Sequence, residues 1–199
     1  DGKTIKLKGD REPTEAETRE AVNNYFKLPK DTSMAPDKVK EVSNTNDMDE
    51  YLSFIKGHEG KKLKAYKPVD TEEFYTIGYG HYGSDVTEGM TITDEEADDM
   101  LIKDINKRLP KIKEAIPKFD NMPIEVKKNI LGSWFRGSLT SSGSPTTIRL
   151  LNEGKYEEAS KEFLNNDEYR KYKNNPGTMD GVVKRMESTA NALKGLQND

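Results

Sequence analysis

A chain of 199 residues with 32% apolar and 34% charged residues is long enough to bury a core, yet polar for a globular protein. Its net charge of −4 argues against a nucleic-acid binder, which needs a basic excess, and gives no attraction to an anionic surface. There is no cysteine to form disulfides, no apolar run of membrane-spanning length and no signal-peptide pattern. The chain begins at Asp1 rather than Met, which reads as a fragment or cleaved product of something longer.

Residues 1–46 read as an N-terminal arm and linker. Asp1 to Asp10 alternates Thr, Ile and Leu with Lys, a weak strand signal, and Glu12 to Phe26 has the pattern of a short helix. Pro29 to Asn46 is rich in Pro, Ser, Thr, Asn and charge, as a linker is. Residues 47–199 form the second unit. Met48, Tyr51, Leu52 and Ile55 recur at helical spacing, with Asn46 or Asp47 as N-cap and Gly57 and Gly60 near the end. Leu63–Tyr66 and Phe74–Tyr79 alternate like strands, joined by a turn at Pro68 and Asp70.

Thr93 and Glu96 make a capping box before the stripe Ala97, Met100, Leu101 and Ile105. Pro110 and Pro117 punctuate short helices, and Pro123 opens the helix of Val126, Ile130, Leu131 and Trp134. Ser144-Pro145 starts a helix containing Ile148 and Leu151. Tyr156, Ala159 and Phe163 mark another, and Val182, Val183, Met186, Ala190 and Leu193 the last. The sum is α+β: a small antiparallel β-hairpin or sheet lobe packed on a mostly helical lobe.

Chemistry concentrates in the hairpin. Glycoside hydrolysis needs a proton for the leaving oxygen and a group that activates or positions water, roles that two carboxyls in different environments supply. Glu59 sits at or just past a helix C-terminus, whose partial negative charge favours keeping it protonated, as a general acid requires. Asp70 lies in an open turn that the hairpin folds back towards Glu59, and Thr76 offers a hydroxyl to hold water. Other signals have plainer readings. His58 and His81 lack a third ligand at metal-binding spacing, so no metal or cofactor is implied. Gly78-x-Gly80-x-x-Gly83 precedes no clear helix and is no dinucleotide loop. Asp94-Glu95-Glu96 with Asp98-Asp99 is the solvated first turn of a helix rather than a calcium site. Trp134, on periodicity alone, is a core residue.

The run His58-Glu59-Gly60, Leu63-Lys64-Ala65-Tyr66, Asp70-Thr71-Glu72 and Tyr75-Thr76-Ile77-Gly78-Tyr79-Gly80-His81 closely resembles the active-site hairpin of phage-type lysozymes, the T-even endolysin-like muramidases. The resemblance runs from about Asp47 to about Leu193. It implies cleavage of peptidoglycan between N-acetylmuramic acid and N-acetylglucosamine, with inversion, for which the two carboxyls stand ~6.5–9.5 Å apart. It makes Glu59 the general acid, Asp70 the base or electrostatic partner, and Thr76 the residue that positions water. Tyr82, Trp134 and Thr147 then contact substrate. His81 holds the hairpin, and Arg185, in Gly181-Val182-Val183-Lys184-Arg185, pairs with a carboxylate near the cleft.

The chain departs from the family pattern in four places. Pro68-Val69 lengthens the turn before Asp70. Phe135 stands where an amide is common, with Arg136 beside it to compensate. Glu162 stands where a neutral amide touches sugar, and the whole chain is acidic. The acidic balance, the start at Asp1 and the arm of residues 1–46 together suggest an enzyme carried by a phage particle, in a tail or injection apparatus. Its partners would be peptidoglycan and, through the arm, other phage structural proteins, with no nucleic acid and no membrane span. A free endolysin acting on the periplasmic or extracytoplasmic wall from within the host is the other location. Two further readings share the fold: an inactive binding or structural module of a particle, and a lytic transglycosylase that uses Glu59 alone.

Overall fold

The structure is a computed structural model, and it describes residues 44–177 and 179–196. The expected strand and helix of residues 1–26 lie outside the described residues, as does most of the expected linker.

Among the described residues the chain forms seven α-helices and one three-stranded sheet. In chain order these are α1 (Asn44–His58), β1 (Lys62–Tyr66), β2 (Tyr75–Gly78), β3 (His81–Gly83) and α2 (Asp94–Ala115). There follow a 3-10 turn (Phe119–Asn121), α3 (Ile124–Phe135), α4 (Pro145–Asn152), α5 (Tyr156–Phe163), α6 (Asp167–Lys173) and α7 (Asp180–Lys194). The fold is α+β, a small antiparallel sheet with a mostly helical body. No described helix is long and apolar enough to cross a membrane.

The sheet has the order β1-β2-β3, antiparallel throughout. Ile77 pairs with His81, so Gly78 to Gly80 closes the β2–β3 hairpin. Gly78 and Gly80 have φ of 63° and 92°, a left-handed backbone that L side chains rarely adopt. The first two glycines of the dinucleotide-like letters therefore serve the hairpin turn, and Gly83 ends β3. Ile77, Val86, Ile92 and Ala97 form a small core under the sheet.

Helix α2 connects this lobe to the larger core. Thr93 caps it: its side chain accepts from the Glu96 N–H, and the Glu96 carboxylate accepts from the Thr93 N–H. Ala97 faces the small core, while Leu101, Ile105 and Ile112 enter the large one. Pro110 does not divide α2, contrary to the sequence expectation: the helix runs 22 residues through it. Proline removes one bond to the carbonyl four residues back, at Asn106, which is exposed to water. The buried stripe on either side holds the two halves in line. Pro117 does mark an end, since Ile116 before it is extended at φ −129° and ψ 82°.

The other start signals hold to within a few residues. Helix α1 begins at Asn44, so Asn46 and Asp47 lie in its first turn rather than at its cap. Pro123 is the N-cap residue of α3 rather than its first helical position, and Pro145 opens α4. Lys127 in α3 is buried, and its Nζ donates to Asp47 at 2.9 Å, tying α3 to the start of α1. That tie fixes the direction in which α1 delivers its C-terminal residues.

Candidate active site

Glu59 follows the last residue of α1, and its N–H still donates to the Ile55 carbonyl at 2.8 Å. The carboxyl therefore hangs from the end of a helix whose core side, Tyr51 and Ile55, is anchored in the large core. Arg185 reaches it from α7. One guanidinium nitrogen, Nη1, donates to the His58 carbonyl at 3.0 Å and to Glu59 Oε1 at 2.9 Å. It thus caps a helix-end carbonyl and holds the carboxylate at once. The helix terminus presents negative partial charge to the carboxyl, and the guanidinium answers it with positive charge. Helix α7 can place Arg185 there because Val182, Met186, Ala190 and Leu193, on the adjoining face, anchor it in the large core.

The hairpin lies beside this pair. Tyr66 at the end of β1 pairs with Thr76, and Thr76 pairs with Tyr82 on β3. The Tyr66 phenol is pushed up from its ordinary pKa by burial first, then by the charges of Glu72 and Glu59. It stays a protonated donor that feels the Glu59 carboxylate. Lys62 caps its ring at 4.6 Å. Thr76 is buried, at 6% exposure, and among the described residues nothing engages its hydroxyl. Asp70 stays exposed in the turn that Glu72 N–H closes onto the Val69 carbonyl at 3.0 Å. It makes no ion pair with another described residue. Tyr82 is 48% exposed; its ring meets Phe74 edge-on, and its hydroxyl accepts from the Phe74 N–H at 3.3 Å.

His81 bonds two carboxylates outside its strand. Nε2 pairs with Asp85 Oδ2 and Nδ1 with Asp104 Oδ2, each at 3.0 Å, so it ties β3 to α2. Burial of the ring opposes protonation, but the bonds to Asp85 and Asp104 outweigh it and raise the His81 pKa. The bond to His81 also holds the Asp85 carboxyl below its ordinary value. Asp104 pairs as well with Arg108, whose guanidinium lies 4.0 Å above the Phe135 ring.

Trp134 packs partly buried against the large core, on α3. Thr147 is almost fully buried at 2% exposure, at the wall of a polar groove that also includes Gly143, Ser144, Glu162 and Asn165. Arg136, next to Phe135 in the chain, is engaged by a carboxylate from another helix. Its Nη2 donates to Glu168 Oε1 at 2.6 Å, and its Nε is buried with no partner among the described residues. The cation beside Phe135 is Arg108. Sequence alone gives Tyr66, which stands in the hairpin run as a strand residue, no role of its own, and it gives no signal for Glu168, whose helix shows no periodicity.

A family model described as "Phage lysozyme" matches residues 56–189. The chain is 36% identical to an "Endolysin" of Bacillus phage B103 over 143 residues, which are 68% of this chain and 49% of that protein. It is 33% identical over 126 residues to an "Endolysin" of Salmonella phage P22, covering 57% of this chain and 77% of that one. Among solved structures, an "Endolysin from Escherichia coli O157:H7 phage FAHEc1" superposes with a TM-score of 0.52 at 26% identity, over 72% of this chain and 90% of that chain. The chain spans about half the length of the Bacillus phage endolysin it matches. The matched segment takes in Glu59, Asp70, Thr76, His81 and Arg185 together, and on this match the chain belongs to the phage lysozyme family.

Proposed function

We propose that the chain is a muramidase that hydrolyses the β-1,4 bond between N-acetylmuramic acid and N-acetylglucosamine in bacterial peptidoglycan. The observation that carries this reading is the Glu59 carboxyl at the end of α1, held through one oxygen by Arg185 and set against the hairpin of Tyr66 and Thr76. Family membership and the endolysin relatives support it. Glu59 gives its proton to the leaving glycosidic oxygen. Asp70 serves as base or electrostatic partner for the attacking water, and the Thr76 hydroxyl holds that water. Tyr82, Trp134 and Thr147 are the proposed substrate contacts.

Purified peptidoglycan treated with the protein and analysed by mass spectrometry tests this reaction. Muropeptides with reducing N-acetylmuramic acid ends are expected. Anhydro ends would instead assign a lytic transglycosylase, and peptide release without new reducing ends would end the glycosidase reading.

For delivery we propose carriage by a phage particle. A net charge of −4 provides no steering towards an anionic wall, and attachment to a particle removes the need for it. Mass spectrometry of purified intact virions is expected to find this polypeptide, and its absence would return the enzyme to the free-endolysin class.

A further inference from the structure

We propose that Glu168 is a positioning residue for the general acid: by holding Arg136, it keeps that guanidinium away from Glu59. The inference rests on Glu59 as the acid of the proposed reaction.

Arg136 and Arg185 line the same small cavity as Glu59, between the end of α1, the end of α3 and α7. Two cations thus border one catalytic carboxyl. Arg185 engages Glu59 Oε1, and among the described residues Oε2 has no partner. Arg136 follows the last residue of α3, and among the described residues Glu168 on α6 is the one carboxylate it pairs with, at 2.6 Å. Among the described residues the buried Arg136 Nε has no partner, so the guanidinium is not locked by a full set of acceptors. Its position depends on Glu168. Released, it would find Glu59 Oε2 as an acceptor on the wall of the cavity it already borders.

A general acid must be protonated at the working pH, and each cation that approaches it favours the ionised form. Arg185 is one such cation, and its second contact, to the His58 carbonyl, spreads its donors over two acceptors. Arg136 would be the second. The other groups around Glu59 are His58 on α1, whose ring bonds the Phe54 carbonyl, the Tyr66 phenol on β1 with Lys62 over its ring and Glu72 near it, and Asp70, the proposed partner across the cleft. None of these changes when Glu168 is altered. Glu168 therefore tunes the site from another helix, through Arg136, without touching substrate.

The pH dependence of kcat/KM on solubilised peptidoglycan tests this in wild type, Glu168→Gln, Glu168→Asp, Arg136→Gln and the double variant Glu168→Gln/Arg136→Gln. The basic limb reports loss of the proton from the acid in the free enzyme. In Glu168→Gln it is expected to move to lower pH, because a freed cation beside the acid favours its ionised form. Glu168→Asp and the double variant should keep the limb at the wild-type position, because the first retains the anion and the second removes the cation. A limb unmoved in Glu168→Gln overturns the proposal, and so does a double variant shifted as far as the single. Melting curves of each variant separate lost folding from a moved limb. Glu59→Gln, run alongside, separates the two readings: full activity there would remove the general acid itself, whatever Glu168 does.

Discussion

Glu59→Gln is expected to lower kcat on peptidoglycan by about 10²–10⁴-fold with KM little changed, the usual contribution of a general acid. The substitution is nearly isosteric, and the Gln carbonyl can still accept from Arg185, so the geometry at the end of α1 persists. What disappears is the proton. Stability should change by no more than about 1 kcal/mol, because the Glu59–Arg185 pair is about one-third exposed and solvent screens it. The negative charge also sat at a helix C-terminus, where removing it is mildly favourable. Initial rates of peptidoglycan clearing and a melting curve check both halves. If the Gln variant clears at more than a tenth of the wild-type rate while folded, Glu59 is not the acid. If neither protein clears, the chain acts as a binding module.

The part of the site written along the chain was legible in the sequence, and the part written across it was not. Glu59 and the Tyr75–His81 run are local: a helix end, a strand and a glycine turn place them, and each has a short-range signature. The Glu59–Arg185 contact joins positions 126 apart and became visible through family resemblance alone. The partner of Arg136 is chosen by packing across the fold. Glu168 is 32 positions away and sits on α6, which buries no residue and so leaves no periodic trace. Lys127 shows the same limit in the core: a lysine in an amphipathic pattern reads as solvent-facing, yet this one is buried against Asp47.

The fold follows a similar division. The buried stripes of α1, α2, α3 and α7 announced themselves by spacing, and the starts of α2, α3 and α4 by a capping box and prolines. Strand β3 did not, since it has three residues, His81–Gly83, too few for alternation to show. Pro110 misled because local chemistry says that a proline ends a helix, whereas Ile105 and Ile112 are both fully buried and outweigh one lost hydrogen bond. Tertiary burial overrode a local rule at the one place where the lost acceptor faces water.

His81→Asn is expected to destabilise the protein by about 2 kcal/mol near pH 5.5, the worth of hydrogen bonds to a charged group, and by progressively less above neutral pH. His81 is 20% exposed and Asp104 13%, so their bond is shielded, whereas Asp85 at 66% adds little. The sign follows from the two shifts. His81 has a raised pKa in the folded protein, so its contribution is fully present below the unfolded value of about 6.5 and is lost as pH rises through the folded one. Asp85 has a lowered pKa, so its share is present above the unfolded value and is lost as pH falls through the folded one. The window of greatest effect therefore lies between the ordinary carboxylate and imidazole ranges, about pH 4 to 6.5. Removing His81 does not strand Asp104, which keeps Arg108 at 3.2 Å. Arg108 in turn keeps its place over Phe135, so the loss stays near that of the pair itself rather than that of an orphaned buried charge. Melting temperatures of both proteins from pH 4 to 9 check this. At pH 5.5 the variant should melt about 4–8 °C lower, and the gap should narrow steadily towards pH 9. A gap that is constant across the range would mean that His81 contributes packing and no charge.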